Sequence, residues 1–84
     1  MYKNKSTSGR NNISGQQIAY YRKNRSPKTS QRMLAELMQL EGIDLDKNAI
    51  QRIEAGKRFI TDIELKAFAS VLDVSYEELL NTPD

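Results

Sequence analysis

Asp46-Lys47-Asn48-Ala49-Ile50-Gln51-Arg52-Ile53-Glu54-Ala55-Gly56 is the stretch on which the reading of this chain turns. Asp46 belongs to the residue types that cap helix N-termini, because its carboxylate accepts from the free N–H groups of the first turn. Gly56 suits the position just past a helix, where a left-handed backbone costs glycine nothing. A short helix is therefore expected over residues 47–55. At about 100° per residue, with Lys47 at zero, Gln51 falls near 40°, Asn48 near 100° and Arg52 near 140°. Ile53 and Ile50 fall near 240° and 300° by the same count, on the opposite side. One side of the helix is apolar and anchors to a core; the other presents an ammonium, two amides and a guanidinium. Those groups match base edges in duplex DNA: Arg or Lys with guanine O6 and N7, Asn or Gln with adenine N6 and N7. The same pattern also describes an ordinary amphipathic surface helix. The surrounding sequence has to weigh the two.

Working outward, the flanks read as more short helices. Upstream, Ile13, Ile18 and Tyr21 lie near helical spacing and predict a first helix over residues 14–24, which Ser26-Pro27 ends because proline lacks an N–H and biases its predecessor away from helix. Ser30 is a natural N-cap for a second helix carried by Leu34, Leu37 and Met38 towards Glu41, with Gly42 beyond its end. Downstream, Thr61 and Glu64 form a capping box that opens a fourth helix running to Leu72, and Ser75 and Glu78 form another that opens a short fifth helix bearing Leu79 and Leu80. Only Val71-Leu72-Asp73-Val74 is ambiguous between helix and strand. Residues 1–12 hold one large apolar residue, Tyr2, among Ser, Asn, Gly and Lys, so a disordered basic tail is expected there. The expectation is an all-α, five-helix domain over residues 13–82.

The net charge of +2 says little, but its distribution says more. Lys3, Lys5, Arg10, Arg22, Lys23, Arg25, Lys28 and Arg32 precede the first acidic residue, Glu36. Lys47, Arg52, Lys57 and Arg58 surround Glu54 alone, whereas from Phe59 onward Asp62, Glu64, Asp73, Glu77, Glu78 and Asp84 face only Lys66. A polyanion is attracted to one side of such a molecule and repelled from the other. The chain has no Cys and no His, so zinc fingers, haem ligation and Cys- or His-based catalysis are excluded, and no metal or cofactor is expected. Asp44, Asp46, Glu77 and Glu78 suit caps and solvated surface better than acid–base work, so no enzyme is expected. Tyr20 and Tyr21 read as core and rim rather than as a stacking platform. No run approaches the ~20 apolar residues of a membrane span, and a cytoplasmic, nucleoid-associated protein is expected.

Four segments in order carry a resemblance: I-A-Y-Y-R from Ile18, S-Q-R-M-L-A from Ser30, A-I-Q-R-I-E-A-G-K-R from Ala49, and L-K-A-F-A-S-V-L-D-V-S-Y-E-E-L-L from Leu65. Together they resemble the Cro/repressor-type (XRE-like) helix-turn-helix family of DNA-binding regulators. The resemblance implies a lambda-repressor-like domain that binds double-stranded DNA and controls transcription as a repressor. It implies that Lys47, Asn48, Gln51 and Arg52 face bases, that Lys28, Gln31, Arg32, Lys57 and Arg58 meet phosphates, and that Arg22 and Glu54 pair to tie the first helix to the end of the third. It further implies a homodimer on an inverted repeat, for which Phe59, Tyr76, Leu79 and Leu80 are apolar contact candidates that core packing would explain equally well. No small-molecule ligand and no membrane partner are expected. The alternative of another class is a protein-interaction module of the same fold, such as an antitoxin or a polymerase-binding adaptor. The chain departs from the family pattern in a longer connection between Ala35 and Ile50, from which we expect a longer second helix and Leu45, rather than Ile43, at the turn's core position. Ile60 stands where the family often has proline.

Overall fold

The computed structural model describes residues 9–81. Its element order is α1 (Gly15–Lys23), α2 (Gln31–Leu40), α3 (Lys47–Glu54), α4 (Asp62–Leu72) and α5 (Tyr76–Leu80), with no strand among the described residues. Val71 and Leu72 close α4 as helix, which resolves the ambiguous stretch.

Local chemistry accounts for most boundaries. Ser30 Oγ accepts from Met33 N, and Asp46 Oδ1 accepts from Ala49 N at 2.8 Å. Thr61 with Glu64 and Ser75 with Glu78 both form complete capping boxes. Gly42, Gly56 and Asp73 all adopt positive φ after α2, α3 and α4. Each of these ends closes in the same way, with two backbone N–H groups folding back onto the last turn: Gly42 and Ile43 onto Gln39 and Met38, Gly56 and Lys57 onto Ile53 and Arg52, Asp73 and Val74 onto Ser70 and Ala69. Glycine removes the Cβ penalty at the first two ends, and Asp is among the few other residues that tolerate it at the third.

One core joins all five helices. Ile18, Leu34, Met38, Ile50, Ile53, Phe68 and Leu79 are fully buried, with Leu45 and Leu72 close behind. Leu45 fills the turn before α3, while Ile43 only lies against the cluster, as the longer connection implied. Each such side chain contributes roughly 1.5–3 kcal/mol by leaving water. α3 packs on α1 and α2, whereas α5 packs on α1 and α4, so the acid-rich C-terminal helix sits away from α3.

The expectation of a tail through residue 12 is corrected for residues 9–12; residues 1–8, with the rest of that expectation, lie outside the described residues. Arg10, Asn11 and Asn12 form a strap across the end of α3: Arg10 Nη2 donates to Glu54 O at 2.8 Å, Asn11 N to Gly56 O at 2.8 Å, and Asn12 Nδ2 to Ile53 O at 3.0 Å and Arg58 O at 2.7 Å. Composition misleads here because it counts apolar burial, and this segment is held instead by donors that satisfy helix-end carbonyls. Asn12 also starts α1. Ser14 makes no side-chain cap bond, and Asn12 Oδ1 accepts from Gly15 N at 2.7 Å in its place.

Candidate nucleic-acid interface

Ile50 and Ile53 are completely buried, and Lys47, Asn48, Gln51 and Arg52 are all exposed. The helical-wheel division of α3 is thus the physical one. Asp46 satisfies an orphan N–H at the open end of the helix, while the other free N–H groups of the first turn keep their partial positive charge, which favours an anion there. Asn48, Gln51 and Arg52 share one open hollow with Ala55 and Lys57. A second hollow gathers Lys47 with Lys28, Thr29, Ser30, Gln31, Arg32 and Met33 at the start of α2. One hollow therefore lies on the exposed face of α3, and a second, lined by Lys28, Arg32 and Lys47, adjoins it at the N-terminal end.

Rotation of α3 about its axis is set from behind by Glu54. Arg22 Nε and Nη2 donate to its two oxygens at 2.7 and 2.9 Å, and Arg22 Nη1 donates to Thr29 O at 3.1 Å. The two side chains are only 10% and 7% exposed. Gln31 Nε2 donates to Glu54 Oε1 at 2.9 Å, so one amide hydrogen of Gln31 braces α3 and the other stays available to an anion. Lys28, Arg32 and Lys57 are exposed. Arg32 lies 3.7 Å from Glu36, with side chains 82% and 65% exposed, a pair too open to hold the guanidinium.

Arg58 is placed differently from the phosphate role expected of it. Its Nη atoms form a fork on Glu64 at 2.9 and 3.0 Å, and Nη1 also reaches Phe59 O. The hydrogen bond raises the Arg58 pKa and holds the Glu64 carboxyl below its ordinary value, against the opposing effect of burial on both. Glu64 at the same time accepts from Thr61 N, so Arg58 braces the entry to α4 and is not one of the free cations. Sequence reading placed Glu64 in a capping box and had no signal that Arg58 would join it. Tyr21 packs on the core while Tyr20 is exposed and meets it edge-to-face at 5.1 Å. The Tyr21 hydroxyl donates to Glu78, and partial burial followed by the Glu78 charge raises its pKa. Tyr21 thus ties α1 to α5, a framework role, and Tyr20 lies at the surface beside it.

A family model described as Helix-turn-helix matches residues 18–79, spanning α2, the turn and α3 together with their supporting helices. The chain belongs to the XRE-type helix-turn-helix family. By that membership it is a DNA-binding transcription regulator. Among solved structures it is similar to the restriction-modification controller protein C.AhdI from Aeromonas hydrophila, at 27% identity and a TM-score of 0.65, over 79% of this chain and 86% of that one. No curated protein sequence matches the chain. No group of acidic residues suited to a metal occurs among the described residues, and no described helix is long and apolar enough to cross a membrane.

Proposed function

We propose that this helix-turn-helix protein reads the major groove of duplex DNA with α3 and represses transcription by occupying its site. One observation carries the reading: Lys47, Asn48, Gln51 and Arg52 project from a face whose reverse is locked by two fully buried isoleucines and a buried carboxylate. Arg52 and Lys47 suit guanine, Asn48 and Gln51 suit adenine. Lys28, Arg32 and Lys57, with the free amide hydrogen of Gln31, supply phosphate contacts on either side; these position the protein without reading sequence. Binding alone is assigned, with no catalytic step.

One domain of this size covers a half-site, so two copies on a two-fold axis are proposed. Ile63, 67% exposed, lies with Tyr76 and Leu80 in an apolar groove between α4 and α5 that suits the second copy. Leu79, one of the candidate contacts from the sequence, is fully buried and belongs to the core. The likeness to a restriction-modification controller protein suggests the same setting for this chain.

Selection from random duplexes at moderate salt tests the whole reading. The expected product is an inverted repeat with half-sites about one helical turn, ~34 Å, apart. An unrepeated motif would remove the dimer. No enrichment at all would remove DNA reading and favour the protein-interaction alternative.

A further inference from the structure

The strap of Arg10, Asn11 and Asn12 does more than cover the end of α3. Its donors reach the carbonyls of Ile53, Glu54, Gly56, Lys57 and Arg58, that is, all but Ala55 of residues 53–58. The Arg10 side chain lies so close over Gly56 that a Cβ there would strike its Cζ, Nε and Cγ. A cation at the negative end of a helix is favourable in itself. The bonds to Gly56 O and Lys57 O add a consequence for the exposed side. They hold the backbone of Lys57, which shares its hollow with Asn48, Gln51 and Arg52. Arg22 and Gln31 grip the Glu54 side chain, which fixes how α3 is rotated. The strap grips the main chain beyond it, which fixes where the turn lies.

We propose that Arg10, Asn11 and Asn12 are positioning residues for sequence readout, holding the C-terminal half of α3 and Lys57 in one rigid frame. The inference rests on the major-groove reading above. Its physical basis is the unequal tolerance of the two kinds of contact. Bidentate base contacts survive only about 0.5 Å or 10–20° of misplacement, whereas long cationic side chains follow a displaced phosphate at little loss. Loosening the strap therefore removes discrimination before it removes affinity.

The test uses the full chain, with affinities measured on the repeat selected by the wild type and on a scrambled duplex at the same salt. Arg10→Ala and Asn12→Ala are each expected to weaken binding to the repeat about tenfold while changing binding to the scrambled duplex no more than about twofold. Arg10→Lys keeps the charge and loses the separate Nε and Nη2 donors that reach Asn12 O and Glu54 O, so it is expected to resemble Arg10→Ala. Equal weakening on both duplexes, or wild-type behaviour of Arg10→Lys, would make Arg10 a plain cation and overturn the proposal. Unchanged discrimination in folded variants would overturn it as well. Should Arg10→Ala not fold, Asn11→Ala removes only the exposed bond to Lys57 O and is expected to cost about threefold in discrimination; no change there would count against the strap. If the wild type itself selects no duplex, the parent reading falls first and this one with it.

Discussion

The two ends of α3 are built on opposite principles. The C-terminal end is gripped by Arg22 and Gln31 through the Glu54 side chain and by Arg10, Asn11 and Asn12 through the main chain. The N-terminal end has the Asp46 cap, the buried Leu45 and one bond from Gln39 Nε2 to Leu45 O at 3.4 Å. A helix held at one end and open at the other can present its N-terminal turn to a ligand without losing its orientation. Stability is placed unevenly: polar braces gather at the C-terminal end, and Lys47, Asn48, Gln51 and Arg52 are exposed with no side-chain partner among the described residues.

That asymmetry can be broken deliberately. Glu54→Ala strands the buried Arg22 guanidinium and is expected to cost about 3–5 kcal/mol of folding stability in denaturant titration. Replacing Arg22 and Glu54 together by apolar residues of similar volume should cost far less than the sum of the single changes. A cost for Glu54→Ala near that of a surface substitution would mean that the C-terminal end is not the anchor. Arg52→Ala works on the open face. It should leave unfolding within about 0.5 kcal/mol of wild type while weakening binding to the selected repeat by about 1–3 kcal/mol and relaxing one base position.

Smaller effects sharpen the picture. Asp46→Ala removes the cap at the open end and is expected to cost about 1 kcal/mol of stability, well below Glu54→Ala if the two ends differ as described. Glu64, paired with Arg58, titrates below the ordinary carboxylate value in the folded protein. A depressed folded-state pKa means that its contribution is complete at neutral pH and is lost as pH falls from about 4.3, the ordinary value, through the lower folded value. Acid titration of unfolding free energy should show that loss, and Glu64→Gln should flatten it. Arg32→Ala, at an exposed pair, should move stability by less than about 0.5 kcal/mol. A larger change would give α2 a brace that the geometry does not show.

The fold was largely legible because its signals are local. Ser30, Asp46, Thr61 with Glu64 and Ser75 with Glu78 announce helix starts within a single turn, and Gly42 and Gly56 announce two ends. The exposed face of α3 was legible for the same reason, since helical periodicity alone separates Ile50 and Ile53 from Lys47, Asn48, Gln51 and Arg52. Resemblance to the family supplied the Arg22–Glu54 pair, whose members are 32 residues apart. Periodicity has no means of linking them.

By itself, then, the chain determined five helices, four of them opened by local caps, one anchored polar face and a polarised distribution of charge. Which cations stay free was decided only on folding. Arg58 turns to Glu64, Gln31 gives one amide hydrogen to Glu54, and Arg10 to Asn12 close over carbonyls more than 40 residues away. Caps and periodicity are set by neighbours within a turn and leave a trace in sequence spacing. A guanidinium or amide can satisfy any carbonyl or carboxylate brought within about 3 Å, and only the packing of α1, α3 and α4 determines which one arrives.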